Sequence, residues 1–463
     1  MDKGSEDMIT GCDLLLKGNV VLTDKVIENG YVAIRDGSVV AVGAGAVPDA
    51  KEVEDYSGSY ILPGAIDAQV HSRSQKGQEG FAWSTRSAAA GGVTTVVDMP
   101  YDDGQLICDG VSVRDKAAEG EREARVDFAL YGTCHPEVGP AKVGEMVEAG
   151  VCSFKFSTFG THPERFPRIP PQTLYACFAE VARYGLAAGV HNENHEMVMA
   201  EIEKIKAAGI TDYRAHGMSR PEITETLAMA EIYETGVATG CPAHVVHCSV
   251  GRGYEMCAAY QKQGYETSIE CCIHYLTLNE EEHVAKLGGK AKINPPVRPA
   301  AEVEKLWTHL AAGNVTMIST DHVSWSEDRK TDPDMFKNAS GVPGLEAIYA
   351  LLLKGLKERG LPFTWAARLL AENPANHFRL SHRKGAIRVG RDADIVVMAQ
   401  KPGPYDAAAS GHNIVGWSPY QGINLPYRPV ATYVRGQKVF DGVDVLAEPG
   451  NGTFVAPLRG SQA

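Results

Sequence analysis

Apolar and polar positions alternate over short runs at both ends of the chain, and a longer strand–helix rhythm fills the middle. The first ~60 residues read as short strands with turns: CDLLLKGNVVL, GYVAIRDGSVVAVGAG and KEVEDYSGSYIL. Asp36-Gly37, flanked by apolar alternation, predicts a hairpin. From about residue 385 the pattern returns in GAIRVG, DADIVVMA and ATYVRGQKVFDG. Each terminal segment is too small for a core of its own, so the two are expected to pair into one small β-sandwich. Between them, strands are predicted at 61–71, 94–100, 126–132, 152–157, 187–193, 244–249, 265–272 and 315–322. Helical patterns separate them, among them RSAAAGG, VGEMVEAG, PQTLYACFAEVARYG, PEITETLAMAEIYETG and AAEVEKLWTHLAAG. Eight strands alternating with helices predict an α/β fold, a (β/α)8 TIM-like barrel. The expected organisation is residues 1–60 as the N-terminal part of the sandwich, 61–380 as the barrel, and 381–463 as the C-terminal part of the sandwich with a tail. The stretch 322–343, rich in Asp, Ser and Lys, predicts a long loop at the catalytic end.

Several polar residues end these apolar strands. His71 ends ILPGAIDAQVH, Lys155 lies in CSFKFS, His191 ends AAGVH, His247 ends HVVH and Asp321 ends VTMISTD. Strand ends distant in sequence meet at the C-terminal mouth of a closed parallel barrel, where active sites form. Three histidines and an acid gathered there indicate a metal-assisted hydrolase. By strand parity Asp67, Gln69 and His71 should point into the barrel together.

Lys155 interrupts the apolar run Phe154-Lys155-Phe156. A buried ammonium is costly, so it needs a depressed pKa or a partner. A neutral amine there can take up carbon dioxide as a carbamate, whose two oxygens bridge two cations. The alternative is an ordinary lysine that snorkels outward or pairs with a carboxylate. Asp321 reads either as metal ligand and proton acceptor or as a helix N-cap.

Composition narrows the partners. The 463-residue chain is 44% hydrophobic and 22% charged, with a formal net charge of -13. That balance disfavours nucleic acid and anionic membranes. The start, MDKGSEDMITGC, lacks the apolar core of a signal peptide, and no apolar run reaches membrane-spanning length, so a cytoplasmic protein is expected. Ten cysteines show no zinc-ribbon spacing; Cys271 and Cys272 read as buried small apolar residues.

Residues from about 10 to 445 resemble the cyclic-amide branch of the amidohydrolase superfamily, which comprises allantoinases, dihydropyrimidinases (hydantoinases) and dihydroorotases. PGAIDAQVH, AAAGGVTTVVDMP, SFKFS, VHNEN, VVHCS and ISTDH match that branch in order, followed by HGMSRPEITE, NPPVR, GVPGLE, KGAIRVGRDADIVV and SPYQG. EGFAWSTRSAAAGG and SRPE lean towards allantoinase or hydantoinase. The resemblance implies that His71 and Asp321 hold a buried divalent metal, zinc by preference, and that His191 and His247 hold a more exposed one. A carbamate on Lys155 would bridge them. Hydroxide on the metal would attack the ring amide carbonyl, and Asp321 would carry the proton to the departing nitrogen. Asn294 and the backbone near Ser340 and Gly341 would hold the amide edge. A homodimer or homotetramer is implied as well.

Two residues depart from the pattern. Gln69 stands where the family has the first histidine of Asp-x-His-x-His, and a carboxamide oxygen is the weaker ligand for zinc-like ions. One tight metal and a second that is weak or absent are therefore expected. Arg73 resembles the arginine by which dihydroorotases bind a substrate carboxylate, yet Tyr101 and Asp102 follow DMP where asparagine is usual. Arg73 is thus either an anion clamp or half of a structural ion pair. No tyrosine follows Lys155 closely; Phe159 is the nearest aromatic. A dihydroorotase-like hydrolase and a non-catalytic scaffold with the same fold are the competing readings.

Overall fold

A computed structural model of the protein describes residues 11–75, 77, 79–160 and 166–459. The polar start at 1–10 and the last residues of the tail, 460–463, lie outside the described residues. Eight parallel strands form the barrel wall in sequence order. They are β1 (Ala65–Val70), β2 (Val93–Asp98), β3 (Asp127–Gly132), β4 (Ser153–Ser157), β5 (Ala188–His191), β6 (Ala243–Val245), β7 (Thr267–Cys272) and β8 (Met317–Ser319). Each of the eight expected strands is present, and helices such as Pro171–Ala182, Ile223–Thr239 and Ala300–Ala311 cover the outside. The ring closes where Val70 pairs in parallel with His322.

Several strands are shorter than their apolar runs. β6 ends at Val245 and β8 at Ser319, although burial continues to His247 and Asp321. The chain leaves the ladder there through left-handed backbone, with φ 39° at His247 and 47° at Asp321. Buried loop and buried strand carry the same apolar signal, so the pattern overshoots at the mouth.

The parity reading of β1 needs correction. Pairing with β2 slips by one residue between Asp67 and Val70. This bulge turns consecutive residues to the same side. Ala68 packs with Val97, Ala129, Tyr131 and Met317, while Gln69 and His71 line the mouth. The Asp67 carboxylate instead accepts hydrogen bonds from the Thr320 amide (3.1 Å) and hydroxyl (2.5 Å) and from the Gln69 amide (3.2 Å). It ties β1 to the end of β8 and stays out of the cavity.

The two termini build one seven-stranded sheet. Its central seam is antiparallel, with Ile395 opposite Pro63 and Val397 opposite Ile61. Alternation divides its faces. Val20, Ile61, Ile395 and Val397 enter the small domain's own core, whereas Val21, Leu62, Val396 and Met398 join the large core of the barrel. The predicted hairpin forms at Asp36-Gly37, with φ 51° and 75°. Both angles are positive, as a type I′ turn requires.

A buried charge cluster locks this sheet to the barrel. Lys384 contacts Asp127 at the start of β3 and reaches Asp392 (2.9 Å) and Asp394 (2.8 Å). Arg435 adds a second cation to Asp127. The three carboxylates lie close enough to hold a metal, but the Lys384 ammonium already supplies the positive charge. Lys384→Met should leave buried carboxylates uncompensated and lower stability by about 3–5 kcal/mol. Denaturant unfolding of the variant measures this, and a change under about 1 kcal/mol would show that the cluster is not the latch.

Candidate active site

One cavity opens at the C-terminal mouth of the barrel, with roughly 590 Å³ of empty space including its open entrance. It is lined by Gln69 and His71 from β1 and the turn after it, Lys155 from β4, His191 from β5, His247 and Asp321 after β6 and β8, and Asn294, Ser340 and Gly341 from two loops. Tyr101, Phe166 and Trp325 complete an aromatic wall; the Tyr101 and Phe166 ring centroids lie 4.6 Å apart.

The polar atoms in this cavity converge. His191 Nδ1 and His247 Nε2 are 2.9 Å apart, and the other nitrogen of His247 is buried without a partner. Glu193 holds His191 from behind through Nε2 at 2.8 Å and is itself paired with Arg220 at 3.0 Å. That arrangement fixes the ring tautomer and leaves Nδ1 facing the cavity. On the opposite side, His71 Nε2 and Gln69 Nε2 both meet Asp321 Oδ1, at 3.0 and 2.6 Å. The Gln69 amide oxygen is buried without a partner.

Burial and charge set the proton affinities. Burial pulls the Lys155 ammonium down to about 8, against the opposing pull of Asp321 and Glu270. Burial works to raise the Asp321 carboxyl, but His71, Lys155 and His274 hold it below its ordinary value. Burial, followed by repulsion from His191, drives His247 well below the usual histidine range and so keeps it neutral. A neutral imidazole and an ionised carboxylate are the forms that bind cations. The donor set of two facing imidazoles, a third histidine, a carboxylate and an amine of lowered pKa fits divalent metal ions.

Several supporting residues carried no individual assignment in the sequence. Glu270 accepts from the His247 amide (3.2 Å) and the Ser319 hydroxyl (2.7 Å), and burial raises its carboxyl to about 7. Glu225 binds Arg298 (2.6 Å), the Ser249 amide (3.0 Å) and Asn192 (3.2 Å), so it joins the segments that carry His191 and His247. Glu225 and Glu193 sit within HGMSRPEITE and VHNEN and Arg298 ends NPPVR, whereas Glu270 lies in the strand TSIECC, outside all three. An acidic residue two places after His191 was the available signal.

Arg73 is not part of the pocket lining. Its Nε donates to Asp102 at 2.7 Å and its guanidinium also pairs with Glu119. Asp102 in turn binds Lys116 (2.6 Å), which reaches Asp98 (2.6 Å). Of the two readings left open for Arg73, this geometry favours the structural ion pair: Tyr101-Asp102 in place of asparagine supplies its carboxylate partner. Cys271 and Cys272 are buried free thiols.

Residues 60–439 match the model of the amidohydrolase family. The chain belongs to the amidohydrolase family. Allantoinase of Rubrobacter xylanophilus is 37% identical over 454 residues, covering 96% of this chain and 98% of that protein. L-hydantoinase of Paenarthrobacter aurescens is 30% identical over 96% of the chain and 98% of its own length. Among solved structures, L-hydantoinase (dihydropyrimidinase) from Arthrobacter aurescens superposes with a TM-score of 0.92 at 29% identity, covering 96% of this chain and 100% of that one. A D-hydantoinase structure follows at TM-score 0.89 and 26% identity, over 97% and 100%. Amidohydrolase membership accounts for the barrel with its accessory β domain. Among the described residues no helix is long and apolar enough to cross a membrane.

The paired state of Arg73 gives a direct prediction. Arg73→Met should change apparent affinity for neutral and carboxylate-bearing rings by the same factor, within about twofold. Steady-state kinetics on both kinds of substrate decides it, and a selective loss on the carboxylates would return Arg73 to substrate binding.

Proposed function

We propose that the chain is a metal-dependent hydrolase that opens a small cyclic amide, ureide or imide ring, with allantoin- and hydantoin-type rings foremost. The observation that carries this is the meeting of Gln69, His71, Lys155, His191, His247 and Asp321 in one cavity. His191, His247 and a carbamate on Lys155 would hold one metal, and His71 and Asp321 with the same carbamate would hold a second, weaker one. Zinc suits the imidazole ligands. With a pKa of about 8, Lys155 is partly neutral near neutral pH, and only the neutral amine reacts with carbon dioxide. The bound cation supplies Lewis-acid polarisation of the carbonyl and activation of water. Asp321 takes the proton from the attacking water and delivers it to the ring nitrogen as the C–N bond breaks. Asn294 and the Ser340–Gly341 backbone orient the amide edge.

The dihydroorotase-like alternative loses its cation, because Arg73 is engaged by Asp102 and Glu119. No arginine lines the cavity among the described residues. A scaffold has no use for a polar centre of this density. Assembly as a homodimer or homotetramer is the state that the family resemblance implies.

The decisive experiment is turnover by zinc-loaded protein on allantoin, hydantoins, dihydropyrimidines, dihydroorotate and cyclic imides. Opening of at least one neutral ring is expected, and failure on all of them would overturn the proposal. Asp321→Asn keeps the shape and removes the proton acceptor. Turnover on the best substrate should fall at least ~10²-fold, in the range of general acid–base contributions. Unchanged turnover would assign proton transfer to another group.

Gln69 should make the two metal positions unequal. Its Nε2 donates to Asp321, and the oxygen that remains is a neutral carboxamide oxygen, a weaker ligand than imidazole for zinc-like ions. Even changes behind a ligand cost ~10–100-fold in metal affinity. One tight and one weak or absent metal are expected in the wild type, and Gln69→His should strengthen the second. Metal titration of both proteins tests this; two equally tight metals in the wild type would refute it.

A further inference from the structure

Trp325, Ser340 and Gly341 reach the cavity from the long loop that follows β8. That loop rests on an ammonium that meets main-chain carbonyls and, among the described residues, no carboxylate. Lys330 is fully buried, and its Nζ donates to the carbonyls of Lys292 (2.9 Å), Ala339 (2.7 Å) and Gly341 (2.8 Å). An ammonium has three N–H groups, so every one is directed at main chain. The Lys292 carbonyl also accepts the Gly341 amide at 3.0 Å. Lys292 repeats the device from the other side, donating to the carbonyls of Asn338 (2.6 Å) and Phe336 (3.2 Å). Close approach is built in, since a Cβ on Gly289 would lie 2.3 Å from the Asn338 side chain.

Burying two cations side by side is unfavourable. Burial and Lys292 pull the Lys330 pKa well down, while three carbonyl dipoles favour the protonated form that alone has three N–H groups to give. An apolar side chain would fill the space at lower cost but would direct nothing. What the ammonium adds is a fixed distance between two segments that carry ring-binding groups. Asn294 stands two residues after Lys292, and its Oδ1 accepts the Ser340 hydroxyl at 3.1 Å. Trp325 Nε1 holds the Ser340 carbonyl at 2.8 Å. Gly341 sits at φ 114°, and a Cβ there would lie 2.7 Å from Val323. The edge is tied at each of these points, and Lys330 ties it from outside the cavity lining.

We propose that Lys330 is a positioning residue for ring binding: its ammonium fixes the Ser340–Gly341 backbone relative to Asn294, so that the edge receiving the substrate amide is formed before the ring arrives. The proposal rests on the reading of this cavity as a cyclic amidase site. It acts on binding and leaves the metal centre untouched, which separates it from a general structural role.

The test uses metal-loaded Lys330→Met and Lys330→Gln with the best neutral ring from the screen. Lys330→Met should raise KM at least ~10-fold with kcat within ~3-fold, as expected when preformed binding is lost and the chemical step is spared. Lys330→Gln retains two N–H donors and should recover part of that loss, and it keeps the test available if the methionine variant does not fold. Metal content should match the wild type in both. Wild-type KM in the folded variants, or a fall in kcat at constant KM, would overturn the role of Lys330 alone. A wild type that neither binds nor opens any ring would overturn the cavity reading and this proposal together.

Discussion

Closure of the barrel between its first and last strands is the constraint on which the site depends. Backbone pairing there is sparse: the His71 amide donates to the His322 carbonyl (3.0 Å), and the His322 amide donates to the Gln69 carbonyl (3.3 Å). Asp67 reinforces the seam from the side through Thr320. Those contacts put His71 and Asp321, which are 250 residues apart, within 3.0 Å. Without the seam the remaining strands could still form a sheet, but the two halves of the polar centre would face different directions.

Around the cavity, buried acids convert backbone order into side-chain order. Glu193, Glu225 and Glu270 are each fully buried, and each bonds to a cavity-lining histidine or to the segment that carries one. Arg220 and Arg298 supply the matching cations for the first two. The histidines thus sit in a frame whose charges are settled within the protein. Bundling the acids behind the histidines also keeps the cavity itself free of carboxylates other than Asp321 among its described lining residues.

Much of this was legible in the sequence. The strand count, the helices and the gathering of five strand-end residues follow from apolar periodicity, because a parallel barrel buries both faces of its strands and punctuates them with polar ends. What was not legible depends on one-residue geometry. The bulge in β1 moved Asp67 out of register with Gln69, and nothing in the alternation marks it. Arg73 was ambiguous because its carboxylate partners, Asp102 and Glu119, come from later segments that only the fold brings near. Glu270 lies in an apolar-looking strand and gives no sign that its carboxyl faces the centre. Lys330 lies in a stretch that reads as solvated loop, since a lysine satisfied by carbonyls looks in sequence like any surface lysine.

The terminal sheet has a consequence for biogenesis. The strand Ala50–Pro63 finds its partner on one side only in Ile395–Pro404. A nascent chain therefore exposes that edge, with the apolar Ile61 and Leu62, while the whole barrel is being synthesised. At ribosomal rates of about 5–20 residues per second this lasts some tens of seconds. An unpaired edge is a template for pairing with another chain. The charges flanking it, Lys51, Glu52, Glu54 and Asp55, lie on the same strand and act as gatekeepers during that interval. A chain shortened before residue 395 would keep the edge open for good, so truncation at the far end should surface as aggregation before any loss at the catalytic mouth is felt.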